Sequence, residues 1–135
     1  MTLVEVVVAL AVSGLAVAGV VNGYIYSVAS AERSALSGAA NARASERLEQ
    51  THAATWITST TPPVDQLAAT NFPPEVVTLD QAATGNAITY ATNFTQIFPL
   101  STNPPVRCIR VDCVWTFDGT HLLTNTLQTC RSPDQ

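Results

Sequence analysis

The side chains able to do chemistry are few. They are one carboxylate set beside an apolar run, Glu5, three cysteines, Cys108, Cys113 and Cys130, and two isolated histidines, His52 and His121. The cysteines all lie toward the C-terminal end. Late cysteines behind an apolar N-terminal segment suggest an exported domain with one disulfide and one leftover thiol. They are not spaced as a metal site, since Cys108 and Cys113 have no second ligand pair. No nucleophile–base pair and no phosphate-binding glycine loop occur, so neither an enzyme nor a cofactor is expected. Six arginines, no lysine and a net charge of −4 make no basic patch. Nucleic-acid binding therefore has no electrostatic support.

Glu5 carries most of the argument. From Val6 to Ala31 there is no charged side chain. As a helix rising ~1.5 Å per residue, that run reaches about 39 Å, and roughly 20 apolar residues suffice to cross a bilayer. A carboxylate at the membrane centre costs about 2.5–3.5 kcal/mol, and less near the edge. Glu5 on its own marks the interface end of an anchor, where its charge also suits the start of a helix. The nearest positive charge is the amine of Met1. If such helices bundle, the amine of one chain can neutralise Glu5 of another and set the axial register between them.

Only 12% of the residues are charged, against about a quarter in ordinary soluble domains. The apolar stretch is too long for a signal peptide and no basic residue precedes Arg33, so the segment is expected to be retained. Gly14, Gly19, Asn22 and Gly23 interrupt it. The glycines allow close helix approach or, with Asn22, local unwinding when the helix leaves lipid. No proline occurs before Pro62, and the helix is expected to continue to Ile57. Leu36, Ala40, Ala44 and Leu48 mark one face, with Arg43, Glu46, Arg47 and Glu49 on the wetter side and Arg43–Glu46 spaced for contact.

Thr58 to Pro74, with four prolines, reads as loop. Glu75–Leu79, Asn86–Ala91 and Phe94–Phe98 read as short strands. The clearest strand is Val106–Phe117, where Ile109, Val111, Cys113, Trp115 and Phe117 alternate on one face. Asp118-Gly119 turns the chain, and His121–Thr129 returns. A loop of residues 118–120 sets Phe117 opposite His121, Leu123 opposite Trp115 and Leu127 opposite Val111. The same register puts Cys108 opposite Cys130, the first pairing for a disulfide, with Cys113–Cys130 as the alternative if the strand bulges. The expected fold class is α+β. Residues 1–31 form an apolar transmembrane or filament-core helix, 32–57 its amphipathic continuation, and 58–135 a small β-rich head. Asn93-Phe94-Thr95 also matches a glycosylation sequon.

The opening MTLVEVVVALAVSG resembles the N-terminus of the type IV pilin and type II secretion pseudopilin superfamily, through Thr2, Leu3, Glu5, the Val/Ala/Leu run and Gly14. It is more similar to minor pseudopilins than to major pilins, which generally begin with Phe and often carry a proline where this chain has Asn22. The resemblance implies a mature subunit. A prepilin peptidase would have cut a leader before Met1, whose new amine is then methylated. It implies an inner-membrane helix before assembly and a homopolymeric cell-surface filament afterwards, built by pilus or secretion machinery. A minor pseudopilin of a type II secretion system, or a monomeric membrane-anchored binding module, is the alternative. Surface specificity would lie in loops 58–74, 80–86 and 99–105.

Overall fold

The computed structural model describes residues 2–81 and 88–134. A single helix, α1, runs from Leu3 to Ala53. It is followed by β1 (Trp56–Ile57), β2 (Val64–Asp65), a 3-10 turn at Ala69–Asn71, β3 (Glu75–Gln81), β4 (Ile88–Thr102), β5 (Pro105–Phe117) and β6 (His121–Arg131). The chain divides within α1 into two compact units, one up to Ala35 and one from Leu36 onward.

In the first unit α1 is helical throughout, and Gly14, Gly19 and Gly23 do not interrupt it. Two polar side chains in this stretch are satisfied locally. Ser13 Oγ donates to Ala9 O at 2.8 Å, and Asn22 Nδ2 donates to Ala18 O at 2.9 Å. Both fold back on the carbonyl one turn earlier, which removes a bare donor from an apolar surface.

In the second unit the C-terminal part of α1 packs on a sheet ordered β3-β4-β5-β6, antiparallel throughout. The helix contributes Leu36, Ala40 and Ala44 to the core, with Leu48 partly buried. The sheet contributes Ala91, Ile109, Val111, Cys113 and Trp115. The alternation expected for β5 is observed, and the β5–β6 register pairs Phe117 with His121, Trp115 with Leu123, Val111 with Leu127 and Cys108 with Cys130. The turn works because Asp118 (φ 52°) and Gly119 (φ 66°) enter the left-handed region, where glycine costs nothing.

Four expectations are corrected. The helix ends at Ala53 rather than Ile57, because Trp56 and Ile57 pair as β1 with β2. Arg47 is not on the wet side of α1: it is buried, at 8% exposure. It lies three residues after Ala44 on the buried stripe, and its charge is met by fixed partners. Its guanidinium donates to Thr95 Oγ1 (3.2 Å), Gln50 Oε1 (2.7 Å) and Pro73 O (2.6 Å), faces Glu75 at 3.3 Å and stacks over the Phe72 ring. Next, the two strands expected at 86–91 and 94–98 are one, β4, because Asn93 stays in the ladder opposite Cys113. Residues 86 and 87 lie outside the described residues. Finally, the Thr/Pro stretch is not only loop. It supplies β2 and two core residues, Leu67 and Phe72. The Arg43–Glu46 contact forms as expected, at 2.9 Å.

The C-terminus clasps the end of α1. Arg131 donates to Thr51 O (3.0 Å) and Ala54 O (2.6 Å), closing carbonyls that the last helical turn leaves open. Asp134 accepts from the Trp56 N–H at 2.8 Å and from Arg131 at 2.6 Å. Arg107 clamps Asp65 with two bonds of 2.7 Å and lies over the Trp56 ring.

Two predictions follow from these contacts. Arg47→Ala strands Pro73 O and Thr95 Oγ1 and costs about 3 kcal/mol, and Arg47→Lys recovers little because a point charge cannot fork to several acceptors. Urea unfolding of the full chain in detergent micelles measures this through Trp56 and Trp115, which lie beyond α1. Arg107 holds the Asp65 carboxyl below its ordinary 3.8. The Trp56 N–H and then Arg131 hold Asp134 below it too. A depressed carboxylate stabilises the fold above its unfolded value and loses that contribution as pH falls through the folded value. The second unit therefore weakens on acidification below about pH 4, and Asp65→Asn with Asp134→Asn flattens part of that dependence in the same urea titration.

Candidate functional site

The N-terminal segment is unusual for what surrounds it. Every described residue from Thr2 to Ala35 is exposed, including Leu3, Leu10, Leu15, Val20, Ile25 and Tyr26. These fall on all sides of the helix. A helix that is apolar all round belongs in lipid or among other helices, since each aliphatic side chain left in water forgoes about 1.5–3 kcal/mol. The segment is long and apolar enough to cross a membrane. A Cβ added at Gly14, Gly19 or Gly23 would meet nothing within 4 Å. Those glycines therefore serve no close approach inside this chain.

Glu5 sits in the first turn of α1 and accepts from the backbone N–H of its own Thr2 at 3.4 Å. Thr2, Leu3, Val4 and Glu5 form half of a capping box, in which an acid at the third helical position reaches back to the cap residue. The T-x-x-E spacing was readable in the sequence as a helix start. Met1, the expected site of processing and methylation, lies outside the described residues, so its amine has no geometry here.

The cysteines fall on two faces of the sheet, Cys108 and Cys113 on β5 and Cys130 on β6. Cys113 faces the core opposite Asn125 and is fully buried. Burial pushes its thiol up. Cys108 and Cys130 stand directly opposed on the other face with sulfurs 2.6 Å apart. The expected register is therefore observed, but the expected bond is not: all three are free thiols. The contact with Cys130, then Gln128 donating at 3.0 Å, lowers the Cys108 thiol, while the same contact raises Cys130.

Two clefts mark the second unit. One, of about 190 Å³, is lined by Arg43, Arg47, Glu46 and Glu75 among others. The second, of about 260 Å³, lies beside Asp65, Leu67, Phe98 and Arg107. In both, the arginines are committed to ion pairs. No group of three or more His, Cys, Asp or Glu side chains that could hold a metal occurs among the described residues. The sequon asparagine is occluded, since Asn93 is 1% exposed and its Nδ2 donates to Arg43 O at 3.3 Å. Of the loops expected to carry surface specificity, 99–105 is mostly strand, since β4 runs to Thr102 and β5 starts at Pro105, and residues 82–86 lie outside the described residues.

Searches against protein-family models, curated proteins and solved structures find no match. A long apolar N-terminal helix whose second half packs on a small antiparallel sheet is compatible with a pilin-like fold.

The thiols give a counting prediction. In the reduced native chain, Cys113 resists a thiol reagent that reaches Cys130, and it becomes reactive only in denaturant. A chain in which Cys108 and Cys130 had joined would instead show no reactive thiol when native and Cys113 alone when unfolded. Titration with a chromogenic disulfide before and after guanidinium distinguishes the two states.

Proposed function

We propose that this chain is the structural subunit of a type IV pilus-like filament, polymerising through its apolar N-terminal helix. The observation that carries the reading is the helix surface: apolar and exposed on every side, with one acid at its start. Such a helix rests in the inner membrane before assembly and exchanges lipid for neighbouring helices afterwards, while the β-rich heads coat the outside at the cell surface. Glu5 is neutralised by the amine of Met1 in a neighbouring copy, which sets the register of addition. A prepilin peptidase generates that amine, and methylation follows. Gly14, Gly19, Asn22 and Gly23 supply the local give that the change of surroundings requires. The role calls for no catalytic group.

One observation favours a second reading, the monomeric membrane-anchored module. Glu5 already has a partner in its own chain, the Thr2 N–H, so a lone helix has a use for the carboxylate. The minor pseudopilin reading shares the helix and differs only in how many copies a filament holds.

Electron microscopy of cells expressing Glu5 variants separates these. Gln at the same position keeps the reach back to the cap but carries no charge. Under the filament reading, Glu5→Gln and Glu5→Val both abolish filaments and leave the chain in the membrane. If Glu5→Gln assembles normally and only Glu5→Val fails, the carboxylate acts as a cap and the amine pairing is wrong. If the wild type makes no filaments, the anchored module or the minor subunit replaces the proposal.

A further inference from the structure

The sheet has two edges, and they are treated differently. β3 is guarded. Pro73 and Pro74 precede it, Glu75 and Asp80 charge it, and its register against β4 shifts between Thr78 and Asp80. These are the devices that keep an edge from pairing with another chain. β6 has fewer of them, with Arg131 and Pro133 only at its C-terminal end. Its 11 residues, HLLTNTLQTCR, contain no proline and no charged residue between His121 and Arg131. Its pairing with β5 runs without a bulge from Phe117↔His121 to Arg107↔Arg131. It has no further strand neighbour among the described residues. Its core-facing side chains Leu123 and Leu127 are only partly buried, where Ile109 and Val111 on β5 are fully so. A straight, uncharged edge of this length presents a row of backbone donors and acceptors, and the ligand that fits it is another extended strand.

We infer that β6 pairs antiparallel with β6 of a second copy of this chain. The register that uses all of β6 has its two-fold centre at Thr126. It sets Leu122 against Cys130, Thr124 against Gln128, and Thr126 against its own copy. Self-pairing is the case in which a charge would face its like, and like charges opposed across strands are destabilising. A strand without charges from Leu122 to Cys130 meets no such penalty. Thr–Thr and apolar cross-strand pairs add to the ladder. The two-fold axis of an antiparallel strand pair stands perpendicular to the sheet. Any direction lying in the sheet is therefore reversed, and the two packed segments of α1, residues 36–53, run opposite ways. The contact thus joins copies that belong to different arrays, not neighbours in one bundle of parallel helices. It goes beyond the filament proposal and does not depend on it.

A photo-crosslinking benzoylphenylalanine in place of Leu122, which is 70% exposed, tests the pairing in the full chain in detergent micelles. Mixing ¹⁴N and ¹⁵N chains identifies inter-chain products. The expected product links position 122 of one chain to the peptide holding Cys130 of another. Within one chain those positions are about 26 Å apart along the strand, so the product cannot form internally. A monomer only, or a dimer linked through α1 or through β3, overturns the proposal. Two double variants then check the register. Thr124→Lys with Gln128→Lys opposes like charges twice and lowers the linked product about tenfold or more. Thr124→Glu with Gln128→Lys opposes unlike charges at the same exposed positions and keeps it. Equal yields from the two variants also overturn the proposal.

Discussion

The second unit depends on the seam where α1 packs on the sheet. Ala40 and Ala44 are fully buried there. Along the same seam, polar side chains of the sheet reach the helix. Asn93 donates to Arg43 O, and Asn125 donates to Ser37 Oγ at 3.0 Å while accepting from Trp115 Nε1 at 2.7 Å. Arg47 then fills the space beside the alanines, spending its length on carbonyl, hydroxyl, amide and carboxylate partners along the same seam. Larger residues at 40 or 44 would lift the helix and strand all of these groups together.

The two parts of α1 solve opposite problems with one backbone. Up to Ala35 apolar side chains lie exposed on every side, and two polar ones, Ser13 and Asn22, are tied to the helix's own carbonyls. From Leu36 the apolar residues narrow to a stripe, and arginines and acids take the rest. Hydrogen bonding within the helix satisfies the backbone in both settings, so the same element serves in water and in an apolar medium. That continuity gives the filament proposal its physical basis: subunits of this kind would move from lipid into a bundle with no more than local adjustment of the helix.

Much of this was legible because the patterns are periodic. The 51-residue helix followed from the absence of proline and the apolar spacing, and the β5–β6 register followed from alternation plus Asp118-Gly119. The parts that were not legible rest on partners far away in sequence. Arg47 reads as a surface charge until Pro73 and Thr95 are seen to meet it. Asn93 falls in the gap between two expected strands until its place in the ladder and the carbonyl of Arg43 give it partners. Leu67 and Phe72 sit among prolines and threonines, and only the fold makes them core. For the candidate site, Glu5 stands out in the sequence as an acid beside an apolar run. Its reach to the Thr2 N–H is carried by the T-x-x-E spacing, a local signal easily hidden by the apolar run that follows.

The sheet has an even number of strands, all antiparallel, so β3 and β6 run in opposite directions. Subunits stacked side by side with their helices aligned would offer β6 of one to β3 of the next in the orientation that hydrogen-bonds. Nothing in the strand directions forbids that continuous ribbon of heads. What stands against it is local: two prolines, two acids and a register shift at β3. In the proposed filament the heads would therefore stay separate sheets, because one edge is unfit to receive the other.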